Sequence, residues 1–214
     1  MSQLSLLDIS SITPVLGGKL IESDPPVDFI PNFLSEDEAN TLLFQSLDTV
    51  EWSQNSTKMY GKTIPLPRRE AIYGDRPYTY TYSGGKVSLT ARLWDDAKFL
   101  HSLKTRVEQA TGFKYQLVIG NHYRNGRDSI GFHDDGRPEL GKCPAIASIS
   151  LGAARTFKLR QKVKGSFIHS FEMTHGSLIL MRPGCQENWA HAVPKTSKPV
   201  GARVNWTFRP WKEE

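Results

Sequence analysis

Along this 214-residue chain the spacing of hydrophobic and polar positions changes once, from a helical repeat in the first half to a two-residue alternation in the second. Residues 1 to about 26 show no sustained period and read as an extended tail with one short apolar knot, Leu4 to Leu7. Ser35 and Glu38 stand at capping-box spacing, and Ala39, Leu42, Leu43 and Leu47 recur at three and four residues, which predicts a first helix with those four on its buried face. A second helix is predicted from about Asp95 to Gly112, with Ala97, Leu100, Leu103, Val107 and Ala110 as its stripe and Gly112 as its stop. Between them, residues 52–85 are rich in turns and aromatics, punctuated by Pro65, Pro67, Gly74, Pro77, Gly84 and Gly85. After Gly112, short alternating segments near 115–123, 145–151, 155–163, 166–173, 177–182, 187–193 and 200–209 predict strands, and turn signals separate them. The fold class expected is therefore mostly β with α+β character, an all-β sandwich or double-sheet jelly roll beside two helices.

Composition narrows the function classes. The longest apolar run, near Leu178 to Met181, is far short of a membrane span, and the start lacks the basic and apolar blocks of a secretory signal. Cys143 and Cys185 lack paired metal spacing, which fits free thiols in a reducing compartment and rules out a zinc knuckle built on cysteines. The formal net charge is only +5, so placement matters more than size. Basic residues gather at Lys58, Lys62, Arg68 and Arg69, at Arg124, Arg127 and Arg137, and at Lys158, Arg160, Lys162 and Lys164. Such clusters alone describe a solvated face. Tyr60, Tyr73, Tyr78, Tyr80 and Tyr82 interleave with or follow the first cluster, and this mixture points to nucleic acid, where cations hold phosphates and rings stack on bases.

The candidate chemistry begins at His133 and Asp135. Two residues apart on a strand, they would share a face and offer an imidazole and a carboxylate together. A third ligand from a distant strand would complete the two-His-one-carboxylate set that holds ferrous iron and leaves positions open. In the run Arg203 to Arg209 the odd positions are polar (Arg203, Asn205, Thr207, Arg209) and the even positions apolar. Burying two arginines, an amide and a hydroxyl on one face requires partners, and a ligand with two carboxylates supplies them. Asn121 and Tyr123 present an amide and a phenol in the same way.

Taken in order, Asn121-x-Tyr123, His133-x-Asp135, His191 and Arg203-x-Asn205-x-Thr207-x-Arg209 resemble the AlkB-type dioxygenases, which depend on iron(II) and 2-oxoglutarate and repair alkylated nucleic acid bases. The resemblance spans about 50 to 210, and Tyr73-Gly74-Asp75 with Tyr80 to Gly84 is similar to the lid of the branch acting on double-stranded DNA. It implies a double-stranded β-helix (jelly roll) buttressed by the two helices, a dioxygenase domain over 27–214 and a substrate lid at about 52–85. His133, Asp135 and His191 would be the catalytic iron ligands, with His169 and His175 set aside because the family's distal histidine stands about a dozen residues before the first arginine. Arg209 would pair with the distal carboxylate of 2-oxoglutarate, supported by Asn121, Tyr123 and Thr207, while Arg203 would sit near the metal-chelating end and Asn205 would also belong to the cofactor-binding set. Dioxygen would be the oxidant, and N-alkylated bases of the 1-methyladenine and 3-methylcytosine type, in DNA or RNA, would be returned to normal with release of formaldehyde, succinate and carbon dioxide.

The resemblance also assigns substrate contacts. Tyr80, with Thr81 and Tyr82 beside it, would stack a flipped base against His133, and Tyr60-Gly61-Lys62 would be the wedge filling the gap left in a duplex. Arg68, Arg160, Gly136 and Arg137 complete the substrate set. Gly136 and Arg137 are a departure, since members of the family follow the iron-binding carboxylate with further acids, and this leaves the lesion preference open. A protein or small-molecule hydroxylase, or a catalytically silent nucleic-acid-binding module, are the rival readings. Gln3 to Leu7 resembles a bacterial sliding-clamp-binding peptide, which favours a bacterial, nucleoid-associated cytoplasmic setting over a nuclear one. A monomer without membrane attachment is expected.

Overall fold

The computed structural model describes residues 25–59, 61–82 and 87–212, without the side chain of Met59. The Gln3 to Leu7 motif and Tyr60 lie outside the described residues.

Two sheets face one another. The larger runs in the order Val27–Ile30, Ser177–Met181, Ile146–Gly152, Arg203–Arg209, Leu117–Tyr123, Arg69–Gly74 and Arg92–Leu93, antiparallel except at its last pair. The smaller is antiparallel throughout, in the order Ile168–Met173, Arg155–Gln161, Trp189–Val193, Ile130–His133. Alternation along the strands of the larger sheet sorts the core into two layers. Val118, Ala147, Ile149, Val204, Trp206 and Phe208 point outward to the helices, whereas Leu117, Ile119, Tyr123, Ile146 and Ile179 point inward to Phe157, Leu159, Trp189 and Val193 of the smaller sheet. This is the jelly roll with its helical buttress, and its central strand, Arg203–Arg209, is buried at all seven positions.

Helix α1 (Glu36–Asp48) begins with the expected capping box: Glu38 N–H donates to Ser35 Oγ, and Ser35 N–H donates to the Glu38 carboxylate. Its buried face is rotated from the expected one. Ala39 is buried, but Leu47 is 37% exposed and Ser46 is fully buried in its place. The reason is a polar requirement of the core, because the indole N–H of Trp206 donates to Ser46 Oγ at 2.9 Å and Ser46 donates to Leu42 O at 2.6 Å. Ser46→Ala should therefore cost about 1–3 kcal/mol in urea unfolding, the cost of leaving a buried N–H unsatisfied; a loss below a few tenths would show that Trp206 finds another acceptor.

Helix α2 (Lys98–Thr111) follows a 3-10 turn at Trp94–Ala97, so the predicted helix is two elements. Gly112 stops it at φ 75, a left-handed conformation that favours glycine. Ala110 is exposed, and Glu108 is buried instead, where it binds Lys104 and Lys114 and accepts from Tyr115 N–H. The outer face has one close approach: a Cβ at Gly120 would stand 2.4 Å from the Trp206 ring.

Four strands of the two main sheets have no counterpart in the predicted set: Val27–Ile30, Arg69–Gly74, Arg92–Leu93 and Ile130–His133. Within the turn-rich stretch lie two antiparallel hairpins, Ser56–Met59 with Lys62–Pro65, and Thr79–Tyr82 with Val87–Thr90. None of the described helices is long and apolar enough to cross a membrane.

Candidate active site

His133 and His191 lie directly opposite one another on neighbouring strands of the smaller sheet, beside a local irregularity in the pairing. Their rings are 4.3 Å apart between centroids. Asp135 is two residues beyond His133, yet not on the same strand, which ends at His133. The expected shared strand face is thus replaced by a turn, and the carboxylate is brought round because the buried Gln186 side-chain oxygen accepts the Asp135 N–H at 2.9 Å. One oxygen of Asp135 is 3.9 Å from His133 Nε2, the other 3.7 Å from His191 Nε2. One ligand atom from each residue lies within 4.8 Å of the others. His169 packs edge-on against Trp189 and His175 Nδ1 accepts from Gly152 N–H, so neither rival belongs to this group.

The protonation states suit metal binding. His133 Nδ1 is 2.8 Å from Gly131 O, and a carbonyl only accepts, so Nδ1 is the donor and Nε2 is the nitrogen turned to the metal group. Burial, with the neighbouring His133, pushes His191 down to about 3, leaving its imidazole neutral. Burial alone would raise the Asp135 carboxyl, but Arg209, His191 and His133 together outweigh it and hold the group well below the usual carboxylate range. Two imidazoles, each with Nε2 turned to the group, and one ionised carboxylate are the donor set that suits ferrous iron.

A cleft of about 420 Å³ opens over this group between the two sheets. Asn121, Tyr123, Asn205, Thr207 and Arg209 from the larger sheet line it, opposite Phe157 and His191 from the smaller. Asn205 donates to Ser148 Oγ and Ile149 O, and Thr207 donates to Asn205 Oδ1, which fixes both side chains. Placement of the two arginines reverses the expectation. Arg209, expected at the far end of the ligand, donates to Asp135 at 2.9 Å, while Arg203, expected beside the metal group, donates to Ser150 Oγ at 2.7 Å and stacks on Tyr123. The physical reason is direction: the central strand runs toward the metal group, so its last arginine reaches Asp135.

Among the described residues, Arg203 Nη1 and Arg209 Nε are buried without a hydrogen-bond partner. Guanidinium N–H groups buried unpaired are costly, and two of them on one strand fit a ligand with a carboxylate at each end. The residues present therefore fit both iron(II) and 2-oxoglutarate.

The substrate residues divide. Tyr80 is 5% exposed and lines the cleft, with Arg137 Nε donating to its hydroxyl at 3.2 Å. Tyr82 also lines it and donates to Glu70. Arg68 is a correction to the phosphate-holding cluster: it is 6% exposed and committed to Glu70 at 2.8 Å and Asn121 at 2.9 Å. Gly61, Lys62 and Thr81 are exposed on the hairpins, Gly136 on the turn after Asp135, and Arg160 stacks over Phe132 at the cleft edge. Ser148, Ser150, Gln186, Glu70 and Phe157, which stacks on His191, are site residues the sequence reading missed. Only the alternating serines Ser148 and Ser150 carried a signal, as small polar residues on one face of an otherwise apolar strand.

The sequence pattern of the 2OG-Fe(II) oxygenase superfamily matches residues 26–209. The chain is 36% identical over 188 residues to human alpha-ketoglutarate-dependent dioxygenase alkB homolog 3, covering 84% of this chain and 64% of the relative. It is 36% identical over 159 residues to mouse DNA oxidative demethylase ALKBH2 (71% of this chain, 65% of the relative), and 29% identical over 206 residues to the Arabidopsis thaliana protein of that name (85% and 65%). The chain thus spans somewhat less than two thirds of these relatives' length. With its family pattern running through both sheets and its two-His-one-carboxylate group between them, the chain belongs to the 2OG-Fe(II) oxygenase superfamily.

Proposed function

We propose that this chain removes N-alkyl groups oxidatively from nucleic acid bases, using iron(II), 2-oxoglutarate and dioxygen. The observation that carries the reading is one cleft lined both by His133, Asp135 and His191 and by Tyr80 and Tyr82 from the hairpin segment. Relatives named for DNA oxidative demethylation support it.

When bound, iron(II) would activate dioxygen as the oxidant, with 2-oxoglutarate supplying two electrons as it becomes succinate and carbon dioxide; one oxygen atom would enter succinate and the other an N-alkyl carbon, which would then leave as formaldehyde. The chain's own residues prepare that chemistry. His133, His191 and Asp135 would hold the metal, His191 as a neutral imidazole and Asp135 as a carboxylate. Arg203, with Tyr123 and Asn121, takes the distal carboxylate of 2-oxoglutarate, and Arg209 steadies Asp135 and the carboxylate nearer the metal. Asn205 and Thr207 line the space between. Burial of this wall excludes water, which strengthens each of these contacts.

A base stacked in a duplex cannot reach the cleft, so the substrate is extruded, at a cost of a few kcal/mol that a stacking slot offsets in part. Tyr80 and His133 form that slot. Tyr60, Gly61 and Lys62 fill the gap, and exposed Arg160 holds phosphate. Tyr80→Ala should lower repair on duplex and single strand alike, by about 1–3 kcal/mol of lost stacking, whereas Tyr60→Ala should lower duplex repair most. Equal losses on both substrates for Tyr60→Ala would remove the wedge. The Gln3 to Leu7 motif supports a bacterial sliding clamp as a tether and a nucleoid-associated setting.

The function is tested by succinate formation in iron-loaded protein. A methylated oligonucleotide should stimulate it and the unmethylated strand should not. Stimulation by peptides or small acids instead would favour a hydroxylase.

A further inference from the structure

The charges lining the cleft are Glu70, Asp134, Asp135, Arg68, Arg137 and Arg209. Five of them are paired: Arg68 with Glu70, Arg209 with Asp135, and Asp134 with Lys162 at 2.7 Å outside the cleft. Asp134 is further occupied by the Gly136 N–H, and Glu70 by Tyr82 and Asn55. The exception is Arg137, for which no acidic partner is found among the described residues. Its guanidinium carbon lies 5.3 Å from the centroid of the Tyr80 ring, and Nε donates to the Tyr80 hydroxyl at 3.2 Å. Its position is therefore fixed by the same ring that walls the stacking slot, while its Nη groups make no hydrogen bond among the described residues. The Tyr80 ring is also faced by Arg209, at 5.6 Å, but that charge is balanced by Asp135, so the positive charge of Arg137 is the one left without an acidic partner at the slot's aromatic wall among the described residues.

A slot of this charge discriminates between lesions. 1-Methyladenine and 3-methylcytosine are cations at neutral pH, each with its positive charge shared between the methylated ring nitrogen and the neighbouring amino group. 1-Methylguanine and 3-methylthymine are neutral and carry an uncharged carbonyl oxygen beside the methylated nitrogen, on one side in the guanine and on both sides in the thymine. A fixed guanidinium repels the first pair and donates hydrogen bonds to the second. We infer that Arg137 is a specificity-determining residue that turns this lesion slot toward neutral N-methylated bases bearing a carbonyl oxygen, in preference to cationic ones. The inference rests on the dealkylase reading above and names the substrate class of that same site.

The test uses iron-loaded full-length protein and four single-stranded oligonucleotides of one sequence context, each with one lesion: 1-methyladenine, 3-methylcytosine, 1-methylguanine or 3-methylthymine. Repair is read by mass for the wild type, Arg137→Glu and Arg137→Gln. The ratio of neutral to cationic repair should fall about tenfold or more in Arg137→Glu, the effect of exchanging one charge-assisted hydrogen bond for a repulsion. Arg137→Gln, which keeps a donor without the charge, should fall between. A ratio unchanged in Arg137→Glu, including a uniform loss on all four lesions as expected of a phosphate contact, would overturn the inference and leave the dealkylase reading standing. Failure of the wild type to repair any of the four, with succinate formation intact, would overturn the dealkylase reading itself.

Discussion

Asp135→Ala should abolish turnover and metal binding together, and should also destabilise the metal-free protein. The carboxylate is the one ligand shared by the metal group and Arg209, 2.9 Å away in a site where both side chains are less than a tenth exposed. Removing it leaves a buried guanidinium unpaired, which costs about 3–5 kcal/mol. His133→Ala and His191→Ala remove a ligand without stranding a charge, so they should lose turnover with a smaller change in stability. The pH dependence has a definite sign. Because the folded protein holds the Asp135 carboxyl below its ordinary value of 3.8, its stabilisation is in place above that value and is lost as pH falls through the lower, folded one. Thermal shifts with and without iron(II) or manganese(II) check all three variants. A metal-dependent stabilisation surviving in Asp135→Ala would contradict the ligand assignment.

That aspartate also marks the limit of what the chain reveals unaided. Its spacing from His133 was legible, but the end of the strand between them was not, since the turn depends on Gln186, 51 residues on. The same holds for the arginines. The two-residue period of Arg203 to Arg209 announced a polar face, and every odd position is buried in or beside the cleft wall. Which arginine lies beside the metal group depends on where the smaller sheet crosses the larger, and no local pattern encodes that. Strand Arg69–Gly74 escaped notice because its pairing with Leu117–Tyr123 is distant in sequence, while nearby prolines and glycines speak only of turns. Local propensity placed Leu47 inward, and the buried Trp206 N–H placed Ser46 there instead.

Arg203→Ala should raise the 2-oxoglutarate requirement steeply while leaving the metal ligands in place. Truncating one partner of a buried charge pair costs about 2–5 kcal/mol, roughly 30-fold or more in affinity. Arg203 has the geometry for it: Ser150 and the Tyr123 ring hold the guanidinium, burial lowers its proton affinity to about 10, and Nη1 has no partner among the described residues. Arg203→Lys should rescue little, because an ammonium lacks the planar fork. Arg209→Ala should behave differently, weakening metal and 2-oxoglutarate together, since it also releases Asp135. Direct titration of 2-oxoglutarate into manganese-loaded protein separates the two. A large loss of 2-oxoglutarate affinity in Arg209→Ala with unchanged metal binding, and none in Arg203→Ala, would restore the arrangement expected from sequence.

If the metal group and the aromatic residues of the cleft serve one reaction on a nucleic acid base, a single incubation has a fixed stoichiometry. Iron-loaded protein is given 2-oxoglutarate, dioxygen and an oligonucleotide carrying one N-methylated base, and formaldehyde, succinate and intact oligonucleotide mass are measured together. One formaldehyde and one succinate should appear for each oligonucleotide that returns to the mass of the unmethylated strand. Succinate formed while the oligonucleotide keeps its methyl group, for each of the four lesions named above, would contradict it.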